Sequence, residues 1–173
     1  VACVEKNQTL GGTCLNVGCV PSKALLDSAF LFYQMKHKAK KHGLEAKEIT
    51  FDLSQIMKRK DTIVRQLTAG IEGLFKKNAI TWFRAVASLQ EINGQEKSVK
   101  ILTQDGEKLI NSKYILIARG GEPVSLPFLP FDGTNVIRST EALSLSNVPG
   151  HLAVIGAGAI GLELGSAWMM LGS

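Results

Sequence analysis

Apolar residues recur at helical spacing from Ser22 to about Lys41, through Leu25, Leu26, Ala29, Phe30, Phe32 and Tyr33. A basic tail suits the C-terminal end of such a helix, and Gly43 is its stop. The stretch "DLSQIMKRKDTIVRQLTAGIEGLFKKN" repeats the period through Leu53, Ile56, Ile63, Leu67, Ile71 and Leu74, so two long amphipathic helices are expected. From Ile80 the period changes to alternation. Turn signals at Asn93-Gly94 and Asp105-Gly106 separate "TWFRAVASLQEI", "SVKILT" and "KLINSKYILIA", which predicts a three-stranded β-meander. Its last piece, "YILIA", is apolar on both sides, as a strand inside a covered parallel sheet should be.

Proline and glycine are then too dense for helix or strand, and residues 122 to about 134 read as a crossing between domains. The chain closes on an apolar strand, "LAVI", a glycine turn, and the helix "LELGSAWMML". At the other end Val1 to Val4 resemble the end of a buried strand, with Glu5 directly after it; such an opening looks cut. The alternation of strand and helix places the chain in the α/β class.

Composition changes this picture little. With 45% hydrophobic residues in 173, a packed core is expected, and no apolar run is long enough to cross a membrane as a helix. The formal charge of +5 comes mostly from Lys and Arg along the helices, in "MKHKAKK", "MKRK" and "FKK", without interleaved aromatics. Solvated helix faces account for it better than a nucleic-acid surface, and neither nucleic acid nor membrane is expected as a partner.

Gly156, Gly158 and Gly161 form G-x-G-x-x-G between that last strand and helix. The first glycine permits a tight turn, the second lets backbone approach a pyrophosphate, and the third allows helix and strand to pack closely. Phosphates then sit at the helix N-terminus, so dinucleotide binding is expected. The acidic residue that would grip a ribose, roughly 20 residues further on, falls beyond Ser173.

Only three cysteines occur, and two of them, Cys14 and Cys19, lie in "GGTCLNVGCVPSK". Separated by four residues, they can close a small ring if the backbone bends to bring their Cα atoms within roughly 7 Å, and Gly11, Gly12 and Gly18 permit such bending. Both would lie near a helix N-terminus that tolerates Pro21 in its first turn. The helix dipole and Lys23 are expected to favour thiolate, the reactive form, so a redox-active dithiol is the sharp reading. Structural zinc is the rival, but His37, His42 and His151 lack cysteines at finger-like spacing. Cys3, in the apolar run "VACV", reads as a small hydrophobe.

The segment "LGGTCLNVGCVPSKALL" resembles the active-site segment of the pyridine nucleotide-disulfide oxidoreductases, and most closely those members that pass electrons from dihydrolipoamide to NAD. "LTAGIEGLFKKN", "YILIARGGEP", "STEALSL" and "VIGAGAIGLELGSAW" continue the resemblance in order, so it covers nearly the whole chain. It implies a partial FAD-binding Rossmann-like domain with the redox-active disulfide at 1–121, followed at 122–173 by the crossing and the first unit of a NAD-binding Rossmann domain. It implies Cys14 as the interchange sulfur, Cys19 as the sulfur nearest the flavin, and Lys23 near the flavin N5 edge. Glu5, with Lys6 beside it, would bind the adenosine ribose of FAD, while Gly12 and Thr13 line its pyrophosphate and ring. Gly156, Ala157, Gly158, Ala159, Ile160, Gly161, Leu162 and Glu163 would hold the pyrophosphate of NAD.

Departures from the family's pattern fall at two places. Ala118, Arg119, Gly120 and Gly121 stand where the family commonly writes "ATGS", and an arginine beside the flavin would crowd or re-charge the site. Ala85 and Ala87 stand where related enzymes often have glycine near the adenine. Glutathione and trypanothione reductases usually show lysine in place of Ser22 and alanine in place of Gly161, so this chain points towards NAD and lipoamide, with mercuric reductase, which shares "VPSK", as runner-up. A non-catalytic module with oxidation-sensing cysteines is the reading of another class. The resemblance further implies a homodimer, a lipoyl group of a 2-oxoacid dehydrogenase or glycine cleavage complex as partner, and the bacterial cytoplasm or mitochondrial matrix as location. The 173 residues alone are expected to be catalytically silent.

Overall fold

The computed structural model describes residues 1–45, 47–90, 97–103 and 106–173. The chain forms two compact units, Val1–Gly12 with Thr68–Gly121, and Thr13–Leu67 with Glu122–Ser173.

In the first unit β1 (Ala2–Val4) pairs in parallel with β2 (Thr81–Phe83), Cys3 standing opposite Trp82. The ladder runs on past the strands, with the Glu5 amide donating to the Phe83 carbonyl at 3.0 Å and the Ala85 amide to the Glu5 carbonyl at 3.3 Å. A separate antiparallel sheet has the order β3 (Val86–Leu89), β4 (Lys97–Thr103), β5 (Gly106–Ser112). The expected meander is therefore present, with two differences. The predicted first strand breaks at Arg84-Ala85, its two halves serving different sheets. Alternation reports which face a residue takes and is silent about the pairing partner, so it runs undisturbed through the break. The predicted final strand also stops early. β5 ends at Ser112, and "YILIA" joins no ladder, Leu116 being 90% exposed. An apolar strand of that kind needs neighbours on both edges, and among the described residues none flanks it. The expected Asn93-Gly94 turn and Asp105 lie outside the described residues; Gly106, in the left-handed region at φ +113°, opens β5 opposite Thr103.

The second unit is helical. α1 (Gly12–Val17) leads through Gly18 into α2 (Cys19–His37), which starts three residues before the predicted helix and accepts Pro21 in its first turn. A 3-10 turn (Ala39–His42) follows, ended as expected by Gly43 in the left-handed conformation at φ +74°. α3 (Leu53–Lys77), which belongs to this unit up to Leu67, matches the second predicted helix, and its start is capped by Asp52, whose carboxylate accepts from the amides of Ser54 at 2.8 Å and Gln55 at 3.2 Å. After the short α4 (Ser139–Ala142), α5 (Ala159–Leu171) is the expected helix behind the glycine turn. The strand expected before that turn is unpaired, with Ile155 70% exposed.

The core of this unit is a seam of α2 on α5. Leu25, Ala29 and Phe32 repeat at helical spacing and meet Leu164, Ala167, Trp168 and Leu171, with Ala142 and Leu143 closing one side. Trp168 is wholly buried, and its indole N–H donates to the Ala142 carbonyl at 3.0 Å. This seam sets α2 beside α5, so the cysteine motif and the glycine fingerprint, far apart in sequence, begin on adjacent helices.

Candidate active site

Cys14 lies within α1 and Cys19 opens α2. Gly18 between them has no space for a side chain: a Cβ there would lie 2.9 Å from the Thr13 carbonyl oxygen and 3.0 Å from Cys14 Cα. That close approach folds the short helix back on the long one and puts the two thiols, both free and exposed, in hydrogen-bond contact. Ser22 secures the turn from below; its buried hydroxyl donates to the Gly18 carbonyl at 2.8 Å, alongside its amide at 3.1 Å.

Cys19 does not titrate as the sequence suggests. The hydrogen bond from Cys14 is the main cause holding the Cys19 thiol above its ordinary value, and some loss of solvation and the Cys14 charge add to it. The backbone amide at the helix start and Lys23 pull the other way and do not prevail. Thiolate is therefore not favoured at Cys19 beside Cys14. Cys3 takes no part. It is half-buried in β1, and burial, then Glu5, push its thiol up.

Lys23, one turn beyond Cys19, donates from Nζ to Glu163 Oε1 at 2.5 Å. That bond is the main reason its ammonium is held above the ordinary lysine value, with further support from the Glu163 and cysteine charges. Glu163 lies on α5, in the second turn behind the fingerprint. The resemblance implies Lys23 beside a flavin and Glu163 beside a pyrophosphate; in the structure the two side chains bond to each other. An apolar hollow of about 370 Å³ opens beside this pair, lined by Cys19, Val20, Lys23, Ala24, Asp27 and Ile63.

Gly156 and Gly161 of the fingerprint stand in close contact. Gly156 turns the chain at φ +107°, and a Cβ on Gly161 would lie 2.3 Å from the Gly156 carbonyl oxygen, so helix and turn touch there as only glycine allows. Gly158, behind Ala157, caps α5, and among the described residues no side-chain cap bond is made to the start of the helix at Ala159, Ile160 and Gly161. These positions fit a dinucleotide pyrophosphate. Leu162 follows on the exposed side, its amide bonded to the Gly158 carbonyl at 3.0 Å.

The remaining expected site residues belong to the first unit, apart from Thr13 at the start of the second. Glu5 ends the parallel ladder and accepts the Asn7 amide on Oε1 at 2.8 Å, with Lys6 exposed beside it. Gly12 begins α1 in the left-handed region at φ +62°. Ala87 is exposed in β3 opposite Ile101. Arg119, Gly120 and Gly121 lie in the exposed run behind "YILIA". The contacts that the sequence reading missed are the Lys23–Glu163 bridge and the Ser22 clamp; a hydroxyl four residues after a flexible glycine was the available signal for the second. Among the described residues no helix is long and apolar enough to cross a membrane.

A family model described as pyridine nucleotide-disulphide oxidoreductase matches residues 1–173. Dihydrolipoyl dehydrogenase 1, mitochondrial, of Arabidopsis thaliana is 46% identical over 171 residues, 99% of this chain and 33% of its own length. Dihydrolipoyl dehydrogenase 3 of Pseudomonas putida is 50% identical over 175 residues, 100% of this chain and 36% of its own. The crystal structure of LpdA from Mycobacterium tuberculosis shares the fold with a TM-score of 0.88 at 24% identity, over 99% of this chain and 37% of that one. The chain thus spans about a third of the length of the curated relatives it matches.

Proposed function

The chain belongs to the pyridine nucleotide-disulphide oxidoreductase family, and from that premise we propose that the protein works as a dihydrolipoamide dehydrogenase through Cys14 and Cys19, with FAD and NAD as cofactors. One observation carries the reading. A hydrogen-bonded cysteine pair stands at the head of α2, one turn from a lysine that is ion-paired to the helix of a dinucleotide fingerprint. The relatives named dihydrolipoyl dehydrogenase support the choice of substrate.

A dihydrolipoyl thiolate attacks Cys14 Sγ of the Cys14–Cys19 disulfide, and the S–S bond breaks with Cys19 leaving as thiolate. The second dihydrolipoyl thiol then attacks the lipoyl sulfur of the mixed disulfide, closes the lipoamide ring and releases Cys14. Two electrons have passed to the cysteines, which now carry one proton between them. Lys23 favours the departing Cys19 thiolate by its charge, and Glu163 keeps that ammonium in place and charged. FAD would take the electron pair from the dithiol and NAD would carry it away as hydride. In this reading 1–121 contribute to the FAD-binding domain, 122–173 begin the NAD-binding domain, and the chain acts as a homodimer on lipoyl groups of a 2-oxoacid dehydrogenase or glycine cleavage complex, in cytoplasm or mitochondrial matrix. The 173 residues by themselves should not turn over.

The test is made on full-length protein. It should be yellow with bound flavin and reduce NAD in preference to NADP with dihydrolipoamide. Cys19→Ser should abolish the long-wavelength charge-transfer band of the two-electron-reduced protein while flavin stays bound, and Cys14→Ser should lose lipoamide turnover. Colourless protein, or lipoamide turnover that survives Cys14→Ser, would reject the assignment.

A further inference from the structure

We propose that the C-terminal end of α2 and the 3-10 turn behind it form a docking surface for an acidic segment of a partner protein. Lys36, His37, Lys38, Lys40, Lys41 and His42 crowd into this stretch, all exposed, and no acidic residue occurs between Asp27 and Glu45. Among the described residues none of the four lysines is ion-paired. Two of them rest on rings instead, Lys36 Nζ 5.4 Å from the Phe32 centroid and Lys38 Nζ 5.7 Å from that of Tyr33.

The dipole of α2 accounts for Lys36 and His37 in its last turn and for little beyond it. Lys38, Lys40 and Lys41 add like charge outside the helix, a local cost that no ion pair among the described residues offsets. Charge complementarity therefore names carboxylates as the missing partners.

The apolar residues between the charges decide what carries those carboxylates. Leu31 and Met35 are exposed on one stripe of α2, four residues apart, and Leu44 is exposed just past the turn. The continuous apolar face of α2, Leu25, Ala29 and Phe32, is already spent on the core, so what remains outside is a mixed surface. A helix lying on a membrane keeps its unbroken apolar face outward. The run also holds no arginine, the residue whose planar fork matches phosphate. Scattered lysines around two or three apolar side chains suit a peptide that offers both glutamate or aspartate and an apolar anchor.

The experiment measures binding of a fluorescent glutamate- and leucine-rich peptide to full-length protein, beside a single-stranded DNA oligomer and phosphatidylserine vesicles. The peptide should bind best, weaken with added salt, and weaken roughly tenfold in a Lys36→Glu, Lys40→Glu, Lys41→Glu variant, since each exposed pair contributes modestly. A Lys→Gln version of the same three positions, which adds no negative charge near the helix end, should show a smaller loss with its folding unaltered. Leu31→Ser with Met35→Ser should also weaken the peptide. Dihydrolipoamide turnover should be the same in all of them, separating this surface from the redox site. Equal peptide binding by wild type and both lysine variants overturns the proposal, as does tighter binding of the DNA or the vesicles than of the peptide.

Discussion

Gly18→Ala should loosen the cysteine pair without touching either sulfur. The added methyl would meet the Thr13 carbonyl oxygen at 2.9 Å and Cys14 Cα at 3.0 Å, where ordinary contact begins at 3.4 Å. The junction of α1 and α2 must therefore open by about half an ångström (3.4 less 2.9 or 3.0), against backbone atoms that cannot rotate aside. Overpacking of this kind costs about 1–3 kcal/mol. The opening separates Cys14 from Cys19, and disulfide geometry tolerates little such movement, so the oxidised form should carry most of the strain. A strain of about 1.4 kcal/mol makes the disulfide easier to reduce by about 30 mV. Equilibration of full-length protein with glutathione buffers, followed by thiol counting, reads that shift. A second consequence has an independent readout. The Cys14 hydrogen bond is the chief cause holding the Cys19 thiol up, so in the variant Cys19 should alkylate with a lower apparent pKa. An unchanged potential together with an unchanged alkylation profile would refute the reasoning that Gly18 sets the distance between the sulfurs.

Glu163→Gln removes the main cause of the raised Lys23 pKa, so the alkaline limb of dihydrolipoamide turnover should move to lower pH; a limb that stays in place in a folded variant would show that Lys23 does not act through its charge. Asp132 is held at about 2 by the amides of Thr134, Val136 and Asn135. A depressed carboxyl contributes stability above its ordinary value of 3.8 that is lost as pH falls through about 2. Thermal melts should accordingly separate wild type from Asp132→Asn by a constant margin above about pH 5, and the margin should close on acidification towards 2; a margin independent of pH would contradict the loop bonding.

Local order was legible wherever spacing and a cap agreed. The two long helices, the Gly43 stop and the helix behind the fingerprint follow from apolar positions three and four apart, because a helix satisfies its own backbone and needs from elsewhere only a surface for one face. Strands need a neighbour's backbone, and the pattern does not name the neighbour. Thr81 to Leu89 therefore reads as one strand although it serves two sheets, and "YILIA" and "LAVI" read as strands although neither is paired.

The same distinction governs the site. Cys14, Cys19 and Lys23 are legible because they lie close together in the chain, whereas the bridge from Lys23 to Glu163 spans 140 residues and exists only through the packing of α2 on α5. Electrostatics nonetheless contained a hint. A carboxylate aimed at a pyrophosphate is repelled, so an acid in the fingerprint helix calls for a cation of its own. The lysine of the cysteine motif answers that need. Each motif supplies one half of the pair, and the charge beside Cys19 is therefore set by the helix that would hold the other cofactor. A change that tilts α5, such as shortening Trp168 at the centre of the seam, would thus reach the sulfurs through Glu163 and Lys23 with no contact of its own to either cysteine.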